Sequence, residues 1–137
     1  MSMTVRQHIN YWLTSASRDR KTMETLLKNG ERAWALFLGH LTIEKLIKAI
    51  CVARGSGVEK THSLDKLAVK AGLPISQTKM IELAELSTFN IAARYPDYKA
   101  KLHLLCTPAY THNWMVKIQW WYKYLRQIAL TERSQYP

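Results

Sequence analysis

Apolar residues recur every three or four positions along almost the whole chain, and no segment keeps up an apolar–polar alternation. The first spacing marks one face of a helix and the second a half-buried strand, so the pattern predicts helices throughout. In the first segment Ile9, Leu13, Ala16, Met23 and Leu27 share a face. Thr4 caps the start and Gly30 follows the end, which predicts a helix from Thr4 to Asn29. Arg20 falls on this apolar stripe, where it would snorkel, pair with a carboxylate or reach a partner.

The second segment carries the row Trp34, Leu38, Leu41 and Lys45 and the row Phe37, Leu41, Glu44 and Lys48, with Leu46, Ile47 and Ile50 widening the apolar surface. A helix is predicted from Glu31 to Ala53, ending at Gly55-Ser56-Gly57 in a loop that reaches Thr61. A short helix follows from Leu64 to Ala71, with Ser63 as N-cap and Gly72 and Pro74 as stop. Ser76 caps the next helix, which carries Met80, Leu83, Ala84, Leu86, Phe89 and Ile91 and ends near Arg94. Pro96 disfavours helix at Tyr95, so Arg94-Tyr95-Pro96 reads as a fixed exit, and Tyr95 to Thr107 reads as a loop. Thr107 as N-cap and Pro108 at the first helical position open the last helix, predicted to Leu130. Its row Trp114, Ile118, Trp121, Leu125 and Ile128 alternates four and three, the spacing of bundle packing. The expectation is an all-α fold: an antiparallel up-and-down helical bundle of four longer helices and one short one.

Composition narrows the class. A chain of 137 residues is expected to form a single domain. An apolar share of 47% excludes disorder, and five Gly with four Pro argue against a turn-rich β-sandwich. The longest stretch free of charge, Leu102 to Val116, is too short and too polar to span a bilayer. The first residues carry no apolar block of the kind a signal peptide needs, and a cytoplasmic protein is expected. Cys51 and Cys106 have no metal-ligand spacing and are expected to be reduced, structural thiols. No P-loop, GxGxxG or GxSxG motif is present, and neither a metal nor a cofactor is expected. Lys and Arg number 20 against 10 Asp and Glu, a net charge of +10. That surplus suits nucleic acid, nucleotides, an acidic protein or an anionic membrane surface. It is spread over every helix with no groove-reading element, so duplex DNA is not the expected partner.

Four motifs, in order, resemble the HEPN family. Phe37-Leu38-Gly39-His40-Leu41-Thr42-Ile43-Glu44-Lys45-Leu46-Ile47-Lys48 resembles its second-helix signature. Upstream, Arg18-Asp19 and Leu26-Leu27-Lys28-Asn29-Gly30 sit where such domains carry an Asp and a Leu-Leu pair before a turn. Downstream, Thr61-His62-Ser63-Leu64 with Leu67 resembles the family's Thr-His-x-Leu-x-x-Leu, and Arg94-Tyr95-Pro96-Asp97 resembles the Arg-Tyr-Pro segment of one branch. The resemblance covers Trp12 to Ala129. It implies a helical bundle that usually dimerises. It implies one of three activities: a metal-independent RNase, a nucleotide-binding module, or the helical partner of a separately encoded minimal nucleotidyltransferase in a toxin–antitoxin-like pair. The RNase branch carries an Arg, four to six residues, then a His. Here Arg32 and His40 are separated by seven residues, Arg54 and His62 by seven, and Arg94 and His103 by eight. No catalytic residue is therefore assigned.

The candidate phosphate-binding residues are Lys45, Lys48, His62, Arg94 and Tyr95. Asp19, His40 and Glu44 are candidates for structural or orienting roles. Each has a plainer reading. Glu44 and Lys48 form an i, i+4 pair of the kind found on helix surfaces. His40 among Leu38, Leu41 and Ile43 suits packing, and Thr61-His62-Ser63 suits capping and loop order. Arg94 suits a helix C-terminus, with an ion pair to Asp19 or Glu44. Trp120 and Tyr124, interleaved with Lys117, Lys123 and Arg126, suit a dimer interface or base stacking, whereas Arg18, Arg20 and Lys21 suit a solvated face. The expected function is non-catalytic: a homodimer that binds nucleotide or RNA phosphate, beside a minimal nucleotidyltransferase. The alternatives are an RNase toxin with an altered Arg/His motif and a purely structural interaction module.

Overall fold

The computed structural model describes residues 2–137, apart from the side chains of residues 92 and 93. Six helices follow one another: α1 (Val5–Lys28), α2 (Arg32–Ala53), α3 (Leu64–Lys70), α4 (Gln77–Arg94), α5 (Pro96–Leu105) and α6 (Pro108–Arg133). The described residues contain no strand.

The caps explain most of the boundaries. Thr4 accepts from the Gln7 N–H while the Gln7 side chain accepts from the Thr4 N–H, a reciprocal capping box. At the other end of α1, Gly30 takes a φ of 76°, left-handed backbone that a side chain would resist. Its N–H bonds to Leu27 O, and the Glu31 N–H bonds to Leu26 O, which closes the helix in a Schellman turn and reverses the chain into α2.

The central element is α2. It is buried on nearly all sides and packs against α1, α3, α4, α5 and α6. Such a helix carries apolar residues around its whole circumference. Directions follow from cross-helix contacts. Asp19 meets Lys45 and Trp12 meets Lys48, so α1 runs antiparallel to α2. Arg133 meets Asn10 and Arg20 meets Gln119, so α6 runs antiparallel to α1. Glu82 accepts from Trp121 and Phe89 packs on Trp114, so α4 runs antiparallel to α6. The four longer helices thus alternate up and down, as the sequence predicts. Gly39 lets side chains of α6 and α1 come close to α2: a Cβ there would lie 2.6 Å from Ile118 Cδ1 and 3.3 Å from Met23 Sδ.

Three expectations need correction. The segment from Tyr95 to Thr107 is not a loop, because α5 occupies most of it. Pro96 ends α4 and also supplies the N1 residue of α5, with Tyr95 in extended backbone serving as C-cap of one helix and N-cap of the other. Ser63 stands at the N-cap of α3 but makes no side-chain cap. Its hydroxyl donates to Asp65, and the Leu64 N–H is satisfied instead by Ser87 Oγ of α4, at 2.8 Å. In α6 the buried row ends on Ala129, with Ile128 half-buried, and the helix runs on to Arg133. Arg20 resolves within the chain, lying 3.1 Å from Gln119 Oε1 and over the Tyr122 ring.

Candidate functional site

A row on α2 at i, i+4 and i+8 brings His40, Glu44 and Lys48 to one side of the helix, where the turn before α3 and the end of α4 meet it. Glu44 is the hub. It is 3% exposed, and its carboxylate accepts from Lys48 Nζ at 2.9 Å and from His62 Nδ1 at 2.8 Å. The helix-surface reading of the Glu44–Lys48 pair is thereby overturned, since Lys48 too is only 8% exposed. The charge on Lys48 lies 5.3 Å from the Trp12 ring centroid, a stabilising place for a cation with little water. A buried carboxylate is costly unless it is paired and hydrogen-bonded, and this one is both.

His62 reaches Glu44 because the chain after α2 turns back at Gly55 and lays residues 56–63 along the helix it has just left. His40 fixes the backbone at that point, its Nε2–H donating to the His62 carbonyl at 3.1 Å. Burial pushes the His40 imidazole below its ordinary pKa. The His62 carbonyl and Glu44 pull the other way and are outweighed. Burial thus favours the neutral imidazole, and its Nδ1 is buried with no hydrogen-bond partner.

The far nitrogen of His62 completes a chain of contacts. With Nδ1–H given to Glu44, Nε2 carries a lone pair, and Arg94 donates to it at 2.7 Å. Glu44, His62 and Arg94 thus form a relay from the core to the surface. The negative charge of Glu44 is matched by Lys48, so the charge of Arg94 is left over. Arg94 has no carboxylate within ion-pair distance among the described residues, neither Asp19 nor Glu44 as the plainer reading had it. It is exposed at the last turn of α4. The arrangement is a surface guanidinium held in place by a histidine, which is itself locked to a buried acid, and it suits an incoming anion.

Other candidates stand apart. Lys45 is 2.6 Å from Asp19 on the α1–α2 face. Lys45 and Lys48 are both engaged by carboxylates and do not present free cations. Tyr95 is exposed beside Arg94, with its ring edge-on to Tyr98. Trp120 and Tyr124 stack at 5.1 Å with Lys79 3.9 Å from the Trp120 ring. Lys79 lies in the first turn of α4 and Arg94 in its last, about 22 Å apart along the axis, so the aromatic pair belongs to another surface. The sequence reading did not single out Ser87, Thr88 or Asn90, which with His62, Ser63 and Ile91 line a cavity of about 300 Å³. Its trace in the sequence is the polar set Ser87, Asn90 and Arg94 at helical spacing in an otherwise apolar segment. Among the described residues no group of three or more His, Cys, Asp or Glu side chains is placed to hold a metal ion. Among the described residues no helix is long and apolar enough to cross a membrane.

An all-helical bundle that folds its His-x-x-x-Glu-Lys-x-x-Lys helix against a Thr-His-x-Leu turn and an Arg-Tyr-Pro corner defines a class. The HEPN domain model matches residues 9–116, and the chain belongs to the HEPN family. No curated protein and no solved structure matches it.

Proposed function

We propose that this HEPN protein binds a phosphate group of a nucleotide or of RNA at Arg94, without cleaving it. The observation that carries the reading is the Arg94 guanidinium, oriented by His62 and Glu44 and free of any carboxylate among the described residues. Holding the side chain in advance removes part of the ordering cost of binding. Lys48, Glu44 and His40 act beneath the surface, as anchors. The net charge of +10 draws anions toward the molecule at long range. In this reading the protein works as a homodimer and as the helical partner of a separately encoded minimal nucleotidyltransferase, in a two-gene module.

The test is equilibrium binding of AMP and of a short single-stranded RNA at two salt concentrations. Arg94→Ala should weaken both at least tenfold with an unchanged melting temperature, and affinity should fall with salt. Unchanged affinity in Arg94→Ala removes the residue from the site. Co-purification with the product of an adjacent nucleotidyltransferase gene checks the partner.

A second reading is favoured by one geometry. His62 has its Nδ1–H anchored on a buried carboxylate, and its Nε2 lone pair, now accepting from Arg94 at 2.7 Å, is freed when the guanidinium turns to a phosphate. A base beside a phosphate-binding cation is what 2′-hydroxyl attack on RNA requires. This Arg and His come from different elements, so the Arg-then-His spacing does not detect them. Metal-free RNA cleavage that disappears in His62→Ala would replace the binding reading with this one.

A further inference from the structure

We propose that the cavity between the His62–Ser63 turn and α4 is a nucleobase site, with Asn90 reading the edge of the base. The proposal rests on the phosphate reading for the position of the ligand's phosphate, but it is carried by a separate observation. Asn90 is 7% exposed and lines the cavity, yet its side-chain amide makes no hydrogen bond among the described residues. Its amide is not among the sealed, unpartnered polar atoms of the core, so it opens onto the cavity, and Asn is a poor choice for a helix interior without such a use. The other polar groups of the wall are accounted for. Ser87 donates to Leu83 O and accepts from the Leu64 N–H. Ser63 donates to Asp65 and Thr88 donates to Glu85 O, so each of these two hydroxyls keeps lone pairs for an incoming donor.

That inventory matches a nucleoside. The amide of Asn90 offers one donor and one acceptor side by side, the pair that reads an adenine edge in bidentate fashion and that other base edges also accept. Ala84 and Ile91 supply apolar wall, and the His62 ring a face for stacking. Ser63 and Thr88 can accept from ribose hydroxyls. A volume of about 300 Å³ is at the small end for ligand sites and suits one base with its sugar. Arg94 follows Asn90 by four residues, about 6 Å along α4, so a phosphate on Arg94 and a base at Asn90 fall on the same face. The ligand class is a nucleoside 5′-phosphate, free or at the end of an RNA strand.

The ¹⁵N-labelled full chain is titrated with AMP, GMP, CMP, UMP, ribose 5-phosphate, adenosine and uridine, following the Asn90 side-chain amide signals. At least one nucleotide should move those signals and bind about tenfold more tightly than ribose 5-phosphate. Its nucleoside should move them too. Asn90→Leu should abolish the base-dependent gain while ribose 5-phosphate affinity stays, and Asn90→Ser serves if the leucine variant does not fold. Arg94→Ala should weaken every phosphate compound and leave the nucleoside response intact. Asn90 signals that stay still with every compound, or nucleotides that bind no tighter than ribose 5-phosphate, would overturn the base site. Arg94-dependent binding of ribose 5-phosphate would then keep the phosphate reading standing. Nucleosides that move Asn90 while no compound depends on Arg94 would support the base site and refute the phosphate reading alone.

Discussion

Replacing Glu44 by Gln keeps the shape of the side chain and removes its charge. The consequence follows from what Glu44 touches. Lys48 Nζ, 2.9 Å away on a residue 8% exposed, loses its counter-ion without gaining water. His62 Nδ1–H is left with a weaker acceptor. Breaking a buried pair by removing one partner costs about 3–5 kcal/mol. The Trp12 ring near Lys48 Nζ offsets part of this, so about 3 kcal/mol is expected. With a urea m-value of about 2 kcal/mol/M, the midpoint should fall by about 1.5 M with m unchanged. The partner experiment is the double replacement Glu44→Met with Lys48→Met, which removes both charges and keeps apolar volume. Its stability should return to within about 1 kcal/mol of the parent. The double variant should still bind AMP poorly, because His62 no longer has the acid that orients it toward Arg94. The reasoning is refuted by a Glu44→Gln loss below about 1 kcal/mol, or by a double variant as unstable as the single one. The latter would assign the cost to packing and not to charge.

Two further outcomes follow from the core. The His40 imidazole has its pKa lowered by burial, so as pH falls below about 6.5 the unfolded chain takes up a proton that the folded one refuses. Stability is therefore full above that pH and declines below it. Denaturant midpoints for His40→Gln, which keeps a donor toward the His62 carbonyl, should decline less steeply over the same range, and equal slopes would contradict this. At Gly39 the added Cβ meets the terminal methyl of the Ile118 side chain, which a rotation can shift. Gly39→Ala should be close to neutral, since helix propensity gains about 1 kcal/mol against the crowding. Gly39→Val should lose about 1–3 kcal/mol by thermal or urea unfolding, and an Ala variant less stable than the Val variant would overturn the packing argument.

The helices were legible where a periodic apolar face and a cap agree, as at Thr4, Ser76 and Thr107, whose side chains all cap as expected. Helix α5 escaped because most of its residues are exposed, with Leu104 84% exposed, so no apolar stripe announces it. Pro96 was read as an ending when it is also a beginning. At the site, the residues His40, Glu44, Lys48, His62 and Arg94 stood out by type and spacing. Their wiring did not, because whether Lys48 faces water or Trp12 depends on α1, and whether Arg94 meets a carboxylate or His62 depends on where residues 56–63 lie. Asn90 left only a faint trace, a polar residue at helical spacing with Ser87 and Arg94, and whether its amide finds a partner depends on the fold.

Tyr95 stands alone between two helices, so two backbone angles set the direction of α5 relative to α4. The residue before a proline has little freedom in those angles. Helix α5 is thus a stiff strut about 15 Å long, clamped at the residue next to Arg94. Lys101 is exposed on that strut, seven residues beyond Arg94. A change at Pro96 would therefore re-aim the backbone that carries Lys101 relative to Arg94 without touching any charge.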